Sequence, residues 1–192
     1  WDFLLIRAEA NGRLVFTEAG KVIVRKPAMT GSPVCTLHFG STVLELDAEI
    51  DARSQFTAVR GISWDPARQE RIEKDGADPG VNGPGNFVPN DLAGLAGLER
   101  YEVRHSALGG DEAQAWADAQ FLMSRLAKVA GRVKCEGIAT INPGDIVTLD
   151  GVGARCSGDV FVVGVRHDCD LVQGWKTHVQ WGDIPHWPAN EP

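Results

Sequence analysis

Thr42-Val43-Leu44-Glu45-Leu46-Asp47-Ala48-Glu49-Ile50-Asp51 alternates without a break. In an extended chain Leu44, Leu46, Ala48 and Ile50 share one face, and Glu45, Asp47, Glu49 and Asp51 share the other. A helix would scatter both sets around its axis, so the stretch predicts a half-buried β-strand carrying an acidic stripe. Outward from it the same signal repeats. Ser54 to Trp64 is expected to continue the sheet, with Phe56, Ala58, Arg60 and Ile62 opposite Thr57, Val59 and Gly61. Beyond Gly131 four further strands are expected, over 133–141, 145–149, 158–167 and 175–181. The turns Asn142-Pro143-Gly144-Asp145 and Asp150-Gly151-Val152-Gly153 suit chain reversal. Strands this closely spaced predict an α+β, β-rich fold: a barrel or sandwich with one long helix inserted.

That helix is expected over 111–130. Ala115, Ala119, Leu122, Leu126 and Val129 form an apolar stripe, with Trp116, Met123 and Ala130 beside it. Asp111 and Glu112 suit the positive end of its dipole, Arg125 and Lys128 the negative end, and Gly131 a stop. A second helix over 1–12, closed by Asn11-Gly12, leads into a hairpin of Leu14–Thr17 and Lys21–Arg25. Residues 68–75 are a mixed charge run, expected as a solvated face. Residues 75–97, rich in Gly, Pro and Asn, are expected as a long surface loop or interface arm. Their glycines do not spell a phosphate-binding fingerprint.

The chain has 192 residues, 19 Lys and Arg against 26 Asp and Glu, and a net charge of −7. That balance argues against a domain built to grip nucleic acid phosphate. The composition excludes disorder, collagen and a cysteine-stapled mini-protein. No apolar run approaches the ~20 residues of a membrane-spanning helix. Cys35, Cys135, Cys156 and Cys169 are widely spaced, without a C-x-x-C pair, and are expected as buried free thiols. The opening at Trp1, without Met or signal peptide, gives the expectation of a piece of something larger.

Catalytic constellations are scarce. Glu45 and Asp47 could form a carboxylate pair for glycoside hydrolysis, but a strand's outer charges are ordinarily just solvated. His167 and Cys169 point the same way along one strand, with no cue for an activated thiolate. His178, alternating with apolar neighbours, is expected to be structural. No nucleophile elbow or metalloprotease helix is present. The expectation is therefore no catalytic residue, no cofactor and no metal.

Two stretches carry a resemblance. Trp1-Asp2-Phe3-Leu4-Leu5-Ile6-Arg7-Ala8-Glu9-Ala10-Asn11-Gly12 resembles the opening signature of Vgr (valine–glycine repeat) spike proteins and phage late-control-D baseplate hubs. The run from Asn142-Pro143-Gly144-Asp145 through Gly158–His167, closed by Gly174-Trp175-Lys176-Thr177 and Pro185-x-Trp187, is similar to the same family's C-terminal stretch. Cys156 departs from it, standing where an aromatic is common. The resemblance implies a structural, non-enzymatic hub of the spike of a contractile injection machine, whether type VI secretion system, phage tail or related particle. It implies a homotrimer that joins a tail-tube (Hcp-like) protein to a membrane-piercing spike and its effectors. It also implies assembly in the bacterial cytoplasm before secretion or injection. On it, 1–30 would be a helix–hairpin subdomain, 31–184 a second tube-like barrel domain, and 185–192 a linker toward a spike. The acidic strand face would suit a conduit lumen or the exterior of the ring, and in a lumen it would repel polyanionic or acidic cargo. Two alternatives remain beside it: a cell-wall glycoside hydrolase acting through Glu45 and Asp47, and a ligand-binding barrel.

Overall fold

The computed structural model describes residues 1–27, 30–81, 83–105 and 108–182. Pro185, Trp187 and the expected linker 185–192 lie outside the described residues. In chain order the first elements are α1 (Asp2–Ala10), β1 (Leu14–Glu18), β2 (Lys21–Arg25), β3 (Cys35–His38) and β4 (Val43–Ile50). Next come β5 (Ala58–Asp65), β6 (Glu70–Asp75), α2 (Pro89–Ala96), β7 (Arg100–Arg104) and α3 (Gly110–Leu126). The last four strands are β8 (Val129–Glu136), β9 (Ile146–Asp150), β10 (Gly158–Asp170) and β11 (Gly174–Trp181).

The main sheet runs β3-β9-β10-β11-β8-β4, antiparallel except where β3 lies parallel to β9. Its two outermost strands, β3 and β4, are consecutive in the chain and joined by a tight turn. Phe39 bridges Val43 there, and the Thr42 N–H donates to the His38 carbonyl. Tying the two edges together at one end curls the sheet into a half-barrel. Every strand of it contributes to a buried core that includes Leu37, Val43, Val133, Cys135, Val147, Val160, Val162, Val179 and Trp181.

β4 keeps the expected alternation with one adjustment. A register shift between Val43 and Glu45 lets Leu44 bulge outward, so Val43 rather than Leu44 enters the core. Ser54 to Trp64, by contrast, does not continue this sheet. β5 is the centre of a separate sheet, β6-β5-β7, whose inner face packs on α3. A Cβ at Gly61 would stand 2.6 Å from the Ala113 carbonyl oxygen, so helix and strand approach backbone to backbone. The charged run expected as a merely solvated face is strand β6. Arg60 of β5 holds two of its carboxylates, Asp75 at 2.7 Å and Glu73 at 3.2 Å.

α3 is buried on two sides. Ala117 and Phe121 face Val59 of the small sheet, while Leu122 and Leu126 face Leu14 of the hairpin and Phe161 and Val163 of β10. It ends at Leu126 rather than 130, because Val129 and Ala130 already pair with β4. Gly131 is therefore a strand residue rather than a helix stop; a side chain there would run into Asp47 backbone and the Trp181 ring. Nor is α3 the single helix of the fold. The expected loop 75–97 contains α2, which begins with Pro89 in its first turn and ends at Gly97 in the left-handed conformation.

The loop before α2 is pinned rather than free. Arg125 and Lys128, expected to complement the negative end of the helix dipole, are 2% and 1% exposed. Arg125 Nη2 donates to Asp78 at 3.1 Å and Asn90 at 2.7 Å, and Lys128 Nζ donates to the Phe87 carbonyl at 2.9 Å. Burial without an opposing charge pushes the Lys128 ammonium pKa down.

The opening unit forms largely as its sequence directs. α1 carries Asp2 in its first turn, and Gly12, at φ +62°, lets the chain turn within 3.0 Å (ideal Cβ to Cα) of Ala119. β1 and β2 then pair from Leu14↔Arg25 to Glu18↔Lys21. Arg25 fastens the hairpin to the barrel, donating to the Pro143 carbonyl at 3.2 Å and lying 4.0 Å from Asp145.

Candidate functional site

The feature that organises the most polar side chains is the outer face of β10-β11-β8-β4. Alternation sends Val165, Val179, Val133 and Leu46 inward, so their neighbours must point out. Register then lines these neighbours up in rows across the strands. One row is Arg166–His178–Lys134–Glu45, and the next is Gly164–Gln180–Arg132–Asp47. A third joins Asp168, Lys176 and Glu136.

Within these rows opposite charges meet. Lys134 Nζ donates to Glu45 at 2.9 Å, Arg132 Nη2 to Asp47 at 3.3 Å and Lys176 Nζ to Glu136 at 2.7 Å. Asp168 accepts from Arg166 at 2.8 Å and lies 3.0 Å from His178 Nε2. At the end of β4, Arg53 bridges Asp51 at 3.0 Å and Glu49 at 3.8 Å. An open groove of about 670 Å³ follows the rows, with Glu45, Asp47, Arg132, Lys134, Arg166 and His178 along it.

This geometry corrects the picture of an acidic, repelling face. Each acid of the stripe has a cation beside it, so the face is charge-paired. The cations were visible in the sequence, since Arg132 and Lys134 alternate with Val133 and Cys135. Only the strand pairing shows that they stand opposite Asp47 and Glu45.

The candidate carboxylate pair is poorly placed for acid–base work. The Lys134 hydrogen bond and charge hold the Glu45 carboxyl below the ordinary carboxylate range, the opposite of what a general acid needs. His167 and Cys169 do lie on one face, but the His167 ring is engaged elsewhere. Its Nδ1 lies 3.0 Å from Thr177 Oγ1, and the Trp175 ring meets it edge-on with centroids 5.7 Å apart. All four cysteines are free thiols, but of those expected to be buried only Cys135 is. Cys35 and Cys156 are half-buried, and Cys169 is exposed on the uncovered half of β10, whereas burial pushes the Cys135 thiol up to about 11. His178, expected to be structural, instead faces outward as a member of the charge-paired rows. Among the described residues no three His, Cys, Asp or Glu side chains are grouped as a metal site.

Solved structures share this architecture. A tail protein from Neisseria meningitidis MC58 superposes with a TM-score of 0.62 at 17% identity, covering 95% of this chain and 54% of that one. The 43 kDa tail protein of prophage MuSo2 from Shewanella oneidensis gives 0.60 at 14% identity, covering 94% and 53%. A chain of the virion of a native gene transfer agent particle gives 0.51 at 17% identity, covering 98% and 40%. The fold is thus one found in phage tail proteins, and the chain spans about half the length of the two tail proteins it matches. No curated protein sequence matches it. The sequence model of the Alg8 N-terminal domain family matches residues 1–170, and the chain belongs to that family.

Proposed function

We propose that the chain is a structural component of a tail-like contractile particle, serving in the trimeric hub that connects a tail tube to a spike. The observation that carries this reading is the charge-paired outer face of a half-barrel built on a phage-tail fold. A sheet buried on one face, with fixed and mutually satisfied charges on the other, suits the wall of a water-filled conduit. It offers passing cargo neither an apolar surface nor an uncompensated field. On this reading 1–30 is the helix–hairpin subdomain, 31–184 is the second tube-like barrel, and the rows from Arg166 to Glu45 line the lumen. Partners are copies of the same chain, the tube protein and the spike with its effectors. Its activity is assembly rather than catalysis, with assembly in the cytoplasm and export as part of the particle. Against the hydrolase alternative, Glu45 is engaged by Lys134 and held low, which unsuits it as the general acid of a carboxylate pair.

The test is to tag the chromosomal copy, sediment particles from lysed cells and analyse them by mass spectrometry and cryo-electron microscopy. The chain should co-sediment with tube and sheath proteins, at a few copies per particle, with density where the tube meets the tip. A chain found only in the soluble fraction of cells that contain particles overturns the reading.

A further inference from the structure

Two surfaces of the molecule are apolar and uncovered, and they differ in charge. The first is the turn between β10 and β11. Leu171 and Val172 are fully exposed there. The turn that presents them is firmly built: Asp170 Oδ1 accepts from the Val172 N–H at 2.7 Å and the Gln173 N–H at 2.6 Å. Trp175 beside it is 41% exposed. Of the two carboxylates in residues 168–175, Asp168 is already held by Arg166 at 2.8 Å and His178 at 3.0 Å, whereas Asp170 has no ion pair among the described residues.

The second is the helix–hairpin unit. α1 is apolar around most of its circumference, a pattern ordinarily found in helices covered on several sides. Yet Ala8 alone of its residues is buried, while Phe3 and Ile6 are 78% and 54% exposed. The outer face of the hairpin adds Val22 and Val24, both exposed. Residues 1–27 hold five cations, of which Arg7 is paired with Glu112 at 3.0 Å and Arg25 lies 4.0 Å from Asp145. Lys21 and Lys26 make no ion pair among the described residues.

These surfaces cannot meet within one molecule. Arg25 anchors the hairpin at Pro143 and Asp145, next to Gly144, whose N–H donates to the Val162 carbonyl. The tip lies nine residues further along β10, about 30 Å at the rise of an extended strand. We propose that the β10–β11 tip of one copy seats Leu171 and Val172 on the Val22–Val24 face of the helix–hairpin unit of a second copy of this chain, with Asp170 facing Lys21 and Lys26. The contact joins different patches, so it propagates head to tail and closes into a ring where the rotation permits. This inference rests on the assembly reading above and supplies it with a seam.

The test uses two variants of the full chain, L171E/V172E and V22E/V24E, in analytical ultracentrifugation over a wide concentration range. All four positions are exposed, so circular dichroism melts should match the wild type. The wild-type chain should self-associate, more weakly in high salt. Each variant alone should lose about a hundredfold in association. Mixed together they should form a complex that stops at one copy of each, because the intact tip of one still finds the intact seat of the other. A wild-type chain that stays monomeric, or variants that associate like the wild type, overturns the contact. So does a mixture that forms nothing. Should the tagged wild-type and tip-variant chains incorporate equally into sedimented particles, the contact fails while the particle reading stands. Absence of the wild-type chain from particles defeats that reading itself.

Discussion

β10 has two halves that differ in everything except backbone conformation. From Val160 to Val163 every residue is buried: Val160 and Val162 enter the barrel core, and Phe161 and Val163 pack under α3. From Val165 to Asp170 the strand keeps its pairing with β11, but one face carries Arg166 and Asp168, and among the described residues no helix packs over it. Sequence marks the change only as a loss of apolar residues after Val163 and a glycine at 164, where the register shifts. What separates the halves is what covers them. α3 and the hairpin fasten the first half into the molecule, and the second is left to face a partner or a solvent-filled space.

If that contrast is right, truncation in the first half should be severe. Phe161→Ala removes a buried ring that ties α3 and the hairpin to the barrel. It should cost about 3–5 kcal/mol in denaturant unfolding. A loss under 1 kcal/mol would mean that α3 is not fastened through β10.

Thiol chemistry offers a second contrast. Cys135 lies in the barrel core and Cys169 on the free half of β10. With its thiol pushed up to about 11, Cys135 carries about a hundredfold less thiolate than an ordinary cysteine, before any steric protection is counted. A water-soluble maleimide at neutral pH should therefore modify Cys169 promptly and Cys135 only on the timescale of unfolding, as peptide mapping can show. Prompt labelling of Cys135 would mean that the core opens locally.

Some of this was legible in the residues and some was not. Strict alternation located β4, and the apolar runs and Pro-Gly turns located β8 to β11 and the first hairpin to within a few residues. Partnership was not legible. Ser54–Trp64 carries the period of a strand, but nothing in it says that α3 would separate it from the main sheet. Glu70–Asp75 lacks an apolar face because Arg60 and solvent, rather than a core, receive its side chains. Pro89 was a helix-start signal within a segment whose glycines made it look structureless, and the pinning by Arg125 and Lys128 comes from another element altogether. The charge-paired face had its acids and bases in plain view, but their neutralisation depends on register. The tip is different again: Leu171-Val172 between Asp170 and Gly174 is an apolar pair in a turn, a signal present in the sequence and passed over.

The cover over the first half carries a modest cost of its own. Lys128 is buried with the Phe87 carbonyl as its one hydrogen-bond partner among the described residues, and burial disfavours its charged form. Lys128→Met should be neutral or stabilising by about 1 kcal/mol, since an apolar chain of similar size replaces an uncompensated ion. The pH dependence has a definite sign. The folded pKa lies below the ordinary 10.5, so between those values the unfolded chain binds more protons and wild-type stability rises with pH. The variant should lack that rise; a rise that survives the substitution belongs to another group.

The smallest effect is expected at the tip, and it separates a fold constraint from an interface constraint. Backbone N–H groups of Gln173 and Val172 hold the Asp170 carboxyl below its ordinary 3.8. A depressed carboxylate stabilises the folded state above the unfolded value, and that contribution disappears as pH falls through the folded one. Acid should therefore release the Val172 and Gln173 amides, seen as faster hydrogen exchange and shifted resonances below about pH 4. Acid also protonates Glu45, Asp51, Asp75 and Glu102, whose carboxyls are likewise held low, so the melt is compared at neutral pH, where Asp170→Ala should move it little because no core residue depends on the turn. Asp170→Asn, which keeps an acceptor without the charge, should retain the turn and abolish the titration. If the turn serves only to close β10 onto β11, Asp170→Ala should leave self-association unchanged at neutral pH. If it exists to present Leu171 and Val172, Asp170→Ala should weaken association well before it touches stability.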